Sequence, residues 1–132
     1  MTLLWVKADT NPVVTEHAIR PKDLDTQGHV NNAVALELFE LGRSVWVKTN
    51  ETMLPEEVMP VVSRVNLSYF REIFLESIEI RTELVSDKYF ELAFKQQIYS
   101  IEHERLCLEG EVFVCLIDKN TKQPCRLKHC FS

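Results

Sequence analysis

The side chains best suited to chemistry lie in residues 23–32, Asp-Leu-Asp-Thr-Gln-Gly-His-Val-Asn-Asn. Asp23, Asp25 and His29 stand in a segment of turn-like composition that runs directly into the longest apolar stretch of the chain. A carboxylate can act as a nucleophile or as a general base. If a helix begins near Asn32, its first N–H groups carry a partial positive charge that stabilises an oxyanion. This combination is suited to attack on a carbonyl carbon.

The same residues have a simpler alternative role at the end of a helix. In that interpretation Asp25 or Thr26 only caps the helix, and Asn31 and Asn32 satisfy its free end groups. Asp23 is predicted to be structural and to bind amides of the loop. A chemical role is therefore assigned to Asp25 ahead of Asp23.

A long helix is predicted from Val30 to about Lys48, because this stretch contains no proline and is followed by Asn50 and Pro55. Its apolar residues cover most of the helix circumference: Val30, Ala33, Val34, Leu36, Leu38, Phe39, Leu41, Val45 and Trp46. The polar line that remains comprises Glu37, Glu40, Ser44 and Lys48. A helix with this pattern is normally buried, and an 18-residue helix is about 27 Å long. We expect the rest of the chain to wrap around it.

The remaining chain predicts strands. A first strand runs from residue 13 to 20, and four more alternate between apolar and polar side chains near residues 61–69, 78–84, 90–98 and 106–116. Alternation with one apolar face is typical of an antiparallel sheet covered on one side. We therefore predict a two-layer α+β domain, with the antiparallel sheet curled around one long central helix.

Some segments have less regular patterns. In the second strand, Val61, Ser63, Val65, Leu67 and Tyr69 are predicted to share the inward face. In the fourth strand the inward set is Phe90, Leu92, Phe94 and Ile98. Residues 51–59 are predicted to form a connector, and residues 123–132 to form a tail without secondary structure.

The composition predicts one domain spanning residues 1–132. A chain of 132 residues with 45% hydrophobic content can bury a core without a metal or a disulfide. The net charge of −5 and the absence of a basic run argue against a nucleic-acid partner. The apolar run at the N-terminus is too short for a signal sequence, and no segment reaches the length of a membrane span. We expect a cytoplasmic protein without a membrane partner.

The four cysteines do not predict a disulfide framework. Cys107 and Cys115 lie inside an apolar strand pattern, where a reduced cysteine packs as a small hydrophobic residue. Cys125, His129 and Cys130 lie close together, but their spacing matches no common zinc pattern. We expect no metal site. His17 and His103 are predicted to be surface or edge residues.

Residues 23–32, followed by the helix segment Phe-Glu-Leu-Gly-Arg at 39–43, resemble the signature of the hot-dog-fold acyl-CoA thioesterases of the 4-hydroxybenzoyl-CoA thioesterase type. The strand order is similar too, so that the resemblance extends over residues 13–118. The loop is also similar to that of plant fatty acyl-ACP thioesterases, whose motif has Asp, Asn and His at alternate positions. Here those positions hold Asp25, Gln27 and His29, so that a glutamine replaces the asparagine.

The resemblance implies that Asp25 is catalytic, as nucleophile or as general base for water, and that backbone N–H groups around Asn32 polarise the thioester carbonyl. It also implies an assisting role for His29 and a further acidic position at Glu72. The alternatives are a packed His29 at the domain edge and a solvated Glu72 at a strand end. Thioester hydrolysis needs little acid catalysis, because a thiolate with a conjugate-acid pKa of about 8.5 leaves readily.

The resemblance further implies an acyl-CoA or acyl-ACP substrate, no cofactor, and a homodimer or homotetramer with the acyl tunnel at the protomer boundary. Pairing between protomers would cover the edge strands of a single sheet. Two other functions are compatible with the same fold. One is a hydratase or dehydratase acting on acyl thioesters, whose usual Asp-x-Asn-Pro-x-His run is one residue longer and has a proline that is missing here. The other is a non-catalytic acyl-CoA-binding protein.

Overall fold

The computed structural model describes residues 3–7, 10–52, 54–88 and 91–130, with the backbone alone described in residues 3–7, 88 and 127–130. Its elements are one α-helix, a short 3-10 turn (Pro21–Asp23) and seven strands. The helix is α1 (Asn32–Thr49). The strands are β1 (Leu3–Lys7), β2 (Val13–Ala18), β3 (Val58–Tyr69), β4 (Ser77–Lys88), β5 (Glu91–Ser100), β6 (Arg105–Asp118) and β7 (Arg126–Cys130).

Five strands form one antiparallel sheet in the order β2-β4-β5-β6-β3. α1 packs on one face of this sheet, mainly against β4 and β2. The largest buried side chains come from both layers, with Phe39 and Trp46 from α1 and Ile78, Ile80 and Ile98 from the sheet. The predicted two-layer α+β architecture is confirmed, and β2 and β3 are the edges of the sheet.

The predicted long helix is confirmed, but its burial differs from the expectation. α1 begins at Asn32 rather than Val30, because Asn31 adopts an extended conformation and caps the helix. Leu36 and Leu41 are 46% and 36% exposed, so the sheet covers one side of α1 and does not wrap around it. No helix among the described residues has the length and hydropathy needed to cross a membrane.

The alternation predicted for β4 is confirmed, whereas that of β3 is wrong in its first half. Val61 is 40% exposed and Ser63 is also exposed, because the register shifts between Val62 and Arg64. β3 also begins at Val58, which is three residues before the predicted start of the strand and inside the predicted connector. Phe90, predicted to face inward, lies outside the described residues.

The prediction of an unstructured tail is wrong. Residues 126–130 form β7, which pairs in parallel with β1 to make a separate two-stranded sheet. No local pattern predicted this pairing, because a five-residue strand is too short to show a period and its partner lies at the other end of the chain. Both chain ends are therefore tied together.

A buried amide connects α1 to the sheet. The Nε2 atom of Gln96 donates to the Phe39 carbonyl oxygen at 2.8 Å and to Thr82 Oγ1 at 2.9 Å. Gln96 Oε1 accepts from Arg43 Nη1 at 2.9 Å. The contact is close because α1 carries Gly42 there: a Cβ atom at this position would lie 2.6 Å from Thr82 Oγ1. The helix axis is therefore fixed close to the middle of β4 and β5.

Candidate active site

Asp23 holds the two ends of the loop before α1. Its side chain is buried and accepts from the Arg20 N–H at 2.9 Å and from the Arg20 guanidinium at 3.1 and 3.2 Å. Its carbonyl oxygen accepts from the Asn31 N–H at 3.0 Å. The hydrogen bond and charge of Arg20 lower the pKa of Asp23. Asp23 therefore has structural contacts, although they involve Arg20 rather than the predicted amides of the loop.

Asp25 is exposed and is held by peptide groups of its own loop. Asp25 Oδ1 accepts from the N–H of Gln27 at 2.9 Å and from the N–H of His29 at 3.2 Å. The Asp25 N–H donates to the His29 carbonyl oxygen at 2.7 Å, and Gly28 completes the turn with a positive φ of 79°. The backbone N–H groups of His29 and Gln27 lower the pKa of Asp25. The carboxylate is therefore ionised at neutral pH and fixed through one oxygen.

The first turn of α1 presents a free donor. Asn31 caps the helix, and its Oδ1 accepts from the Ala33 N–H at 2.9 Å. The N–H of Asn32, the first helical residue, donates no hydrogen bond to any described residue. The Val30 N–H donates to the Ile73 carbonyl oxygen at 2.8 Å, which ties this end of α1 to the segment after β3. The alternative role predicted for the two asparagines is thus divided: Asn31 is the cap and Asn32 is not.

His29 lies between an acidic and an aromatic neighbour. Its Nε2 atom is 3.4 Å from Glu72 Oε2, and its ring makes an edge contact with Phe74 at a centroid distance of 5.2 Å. The side chain of His29 is 29% exposed and that of Glu72 is 60% exposed. His29 is therefore partly packed, and Glu72 reaches it from solvent.

One cavity of about 270 Å³ brings the four predicted site residues together. Asp25, His29, Asn32 and Glu72 all line it. The other lining residues are Val30, Ala35, Tyr69, Phe70, Arg71, Ile73 and Leu108. Sequence reasoning assigned no site role to most of these. Residues 69–73 could have been found as neighbours of Glu72, whereas Leu108 reaches the cavity only because β6 pairs with β3.

The sequence profile of the thioesterase-like superfamily matches residues 19–130, which include the whole loop, α1 and every strand of the five-stranded sheet except β2. The chain belongs to the thioesterase-like superfamily. A comparison with curated protein sequences finds no match.

Solved structures confirm the hot-dog fold of this thioesterase-like chain. A probable thioesterase from Bartonella henselae has a TM-score of 0.79 and 22% identity, and the match covers 91% of this chain and all of that one. A DHNA-CoA thioesterase from Staphylococcus aureus has a TM-score of 0.77 and 19% identity, covering 87% and 80% of the two chains. A 1,4-dihydroxy-2-naphthoyl-CoA thioesterase from Synechocystis has a TM-score of 0.81 and 11% identity, covering 89% and 90%.

The other clusters in this thioesterase-like chain have simpler explanations. Cys107, Cys115 and Cys125 are free thiols, and burial raises the pKa of Cys107 and Cys125. The side chains of His129 and Cys130 lie outside the described residues. Ligand atoms of Glu76, Glu102 and His103 lie within 4.8 Å of one another. Glu76 already accepts from the Ser100 hydroxyl and the Phe74 N–H, so these three residues carry no metal assignment.

Proposed function

We propose that the protein is an acyl thioesterase that hydrolyses an acyl-CoA or acyl-ACP thioester to a carboxylic acid and a thiol. The observation that carries the proposal is that an ionised Asp25 and the free N–H of Asn32 line the same cavity. An attacking carboxylate and an oxyanion donor are the two parts that this reaction requires. The superfamily to which the chain belongs supports the same reaction class.

In the proposed reaction the thioester carbonyl oxygen accepts from the Asn32 N–H. The peptide dipoles of α1 add to this donor, because they point their positive end at the cavity. The free oxygen of Asp25 then attacks the carbonyl carbon, or removes a proton from a water that attacks it. Either route places negative charge on the carbonyl oxygen, where Asn32 stabilises it.

The two routes differ in the fate of the acyl group. Attack by Asp25 breaks the C–S bond and forms an acyl anhydride, which water then hydrolyses to free acid and regenerated carboxylate. Attack by water forms the acid directly, and the proton taken by Asp25 passes to the departing thiolate. A single turnover in heavy-oxygen water separates the routes, because only the anhydride route leaves the label in Asp25.

His29 and Glu72 are proposed to act beside this centre. His29 Nε2 lies 3.4 Å from Glu72 Oε2 at the wall of the cavity, so the carboxylate is close to that nitrogen. We propose that His29 assists water or the departing thiol and that Glu72 positions the ring. His29→Asn is expected to lower kcat about 10-fold or more, and Glu72→Gln less, with each variant tested on the same substrate.

The proposal is tested by trapping released thiol with a chromogenic reagent over a panel of acyl-CoA and acyl-ACP substrates. Asp25→Asn is expected to lower kcat/KM about 10²–10⁴-fold. The asparagine keeps the oxygen that binds Gln27 and His29, so the loop conformation is retained. Wild-type protein that releases no thiol from any substrate, or an Asp25→Asn variant of full activity, would overturn it. A hydratase would consume an enoyl thioester without releasing thiol.

A second copy of the chain is proposed to complete the surface that binds the acyl group. β3 is an edge strand on which Val61 and Val62 are 40% and 45% exposed, and α1 exposes Leu36 and Leu41. An exposed apolar edge strand pairs readily with another chain. We propose a homodimer formed along β3, with the tetramer as a further assembly, and with the acyl tunnel at the boundary.

A further inference from the structure

A second cavity of about 310 Å³ lies at the C-terminal half of α1, between the helix and strands β3, β5 and β6. Its walls are mainly apolar and include Trp46, Phe94, Val114 and Leu116. None of its described lining residues belongs to the cavity that holds Asp25. Its volume lies in the range of small-molecule sites. None of the residues proposed to act in hydrolysis lines it.

Arg43 supplies a cation to the wall of this apolar cavity. The side chain is half-buried, and this burial lowers the pKa of Arg43. A guanidinium has five N–H donors, of which one is used here, in the bond to Gln96 Oε1 at 2.9 Å. No carboxylate among the described residues lies within ion-pair distance of it; Glu40 lines the same cavity but is exposed. The guanidinium is partly desolvated, and the charge of Glu40, which lies beyond ion-pair distance, offsets part of this effect by raising the pKa of Arg43.

Two further residues of the lining each have a buried polar atom that makes no hydrogen bond to any described residue. Trp46 is 1% exposed, and its Nε1 atom is buried without a hydrogen bond to any described residue. Thr52 Oγ1 is in the same condition. Buried donors without acceptors are uncommon in folded proteins and call for an explanation such as a ligand. Arg43 and two residues with an unpartnered polar atom therefore line one apolar cavity.

We infer that this cavity binds an apolar molecule that carries a carboxylate. The carboxylate pairs with Arg43, whose planar guanidinium matches two carboxylate oxygens. The apolar body lies against Trp46 and Phe94, which make an edge contact with each other at a centroid distance of 5.0 Å.

The site is separate from the proposed site of hydrolysis. Arg43 follows Asn32 by 11 helical residues, so the Cα atoms of these two residues are roughly 16 Å apart along the helix axis. The carboxylate therefore has two possible sources. It belongs either to a free carboxylic acid, or to the far end of a long acyl group whose thioester is held elsewhere.

Binding of the free acid is measured on the full chain by fluorescence. The chain has two tryptophans, so in a Trp5→Phe background Trp46 is the only indole. Titration with ω-bromooctanoate is expected to quench it saturably, because bromine quenches an indole in contact with it. Arg43→Met is expected to weaken this binding at least about tenfold, the loss of one charge-assisted hydrogen bond. Arg126→Met removes an exposed arginine of β7 and serves as the matched control.

The alcohol ω-bromooctanol reports on the apolar body alone and should bind the wild type and Arg43→Met equally. Quenching by the acid that is no tighter than by the alcohol would overturn the inference. So would an Arg43→Met variant that binds the acid as the wild type does.

A second measurement identifies the source of the carboxylate and depends on the proposed thioesterase activity. kcat/KM is compared for an ω-carboxyacyl-CoA and the plain acyl-CoA of equal chain length. A preference for the carboxylated substrate that Arg43→Met abolishes assigns the carboxylate to the acyl group. Equal kinetics together with tight binding of ω-bromooctanoate assign it to a free acid. If neither thioester is hydrolysed, the proposed function fails, and the fluorescence titration still decides whether the cavity binds a carboxylate.

Discussion

At the scale of single residues, Asp23 and Asp25 are chemically alike but have different environments. Asp23 is buried and bound by Arg20, whereas Asp25 is exposed and bound by two peptide N–H groups. The first arrangement fixes the loop, and the second leaves one oxygen of a charged carboxylate open to the cavity. The two residues are only two positions apart, yet Asp23 has structural contacts and Asp25 is the proposed catalytic carboxylate.

In the proposed hydrolysis, the pKa of Asp25 sets the pH below which the attacking carboxylate loses its charge. Because backbone hydrogen bonds lower this pKa, the carboxylate stays ionised below the ordinary aspartate value of about 3.9. In the His29→Asn variant, where no imidazole contributes at this position, we expect kcat/KM to be constant from neutral pH down to about pH 4 and to fall only below it. A pH profile measured with a stable acyl-CoA substrate checks this. An acid limb close to neutral pH would contradict attack by the carboxylate.

The pKa of Asp23 affects stability rather than chemistry. A lowered folded-state pKa contributes stability above the unfolded value of about 3.9, which is lost as pH falls through the folded pKa. Asp23→Asn is expected to lower the free energy of unfolding by about 1 kcal/mol at neutral pH. Urea denaturation at a series of pH values measures this, and below the folded pKa the variant and the wild type should converge. Unchanged stability at neutral pH would count against the Arg20 pair.

At the scale of elements, α1 lines a different cavity at each of its two ends. Its first turn places Asn32 at one cavity, and its fourth turn places Arg43 at the other. The distance between the helix and the sheet is set by Gly42 and by the buried amide of Gln96. Both cavities therefore depend on the same close contact.

Gly42→Ala tests that contact. The added methyl group would lie 2.6 Å from Thr82 Oγ1 and 2.7 Å from Ile80 Cγ2, so α1 or β4 must move. We expect a loss of about 1–3 kcal/mol in the free energy of unfolding, measured by urea denaturation. Glu37→Ala, at an exposed position of the same helix, is the control and should change stability little. An alanine variant as stable as the wild type would contradict the close contact.

At the scale of the whole molecule, the single sheet leaves apolar surface uncovered along one side. Val61 and Val62 on β3 and Leu36 and Leu41 on α1 are all exposed by more than a third. The sequence pattern predicted that most faces of α1 would be buried, whereas Leu36 and Leu41 are left exposed. In the proposed dimer, a second protomer along β3 would cover the exposed apolar surface.

Light scattering coupled to size exclusion tests the oligomer directly. We expect the wild type at micromolar concentration to have at least twice the 15.4 kDa mass of the chain. Val61→Lys places a charge on the edge strand and is expected to shift the protein toward monomer. Val85→Lys, at an exposed position on the interior strand β4, is the matched control and should leave the mass unchanged. A monomeric wild type would contradict the proposed dimer.

Local patterns in the sequence determined the elements and the centre of the site. The proline-free apolar run predicted α1, the alternation of Ile78, Ile80 and Thr82 predicted a half-buried strand, and the loop motif led to Asp25. These features depend on neighbours a few residues apart, whose hydrogen bonds and side-chain faces follow from backbone geometry. For that reason the sequence alone was sufficient for them.

Only the tertiary structure decided the features that join distant parts of the chain. It paired β7 with β1, brought Leu108 and Glu72 to the cavity of Asp25, and placed Arg43 in the same cavity lining as Trp46 and Phe94. Such contacts depend on strand order and on where a bulge shifts the register, as it does between Val62 and Arg64. Neither the strand order nor the register shift can be predicted from a local pattern of residues, because both are set by packing between segments far apart in sequence.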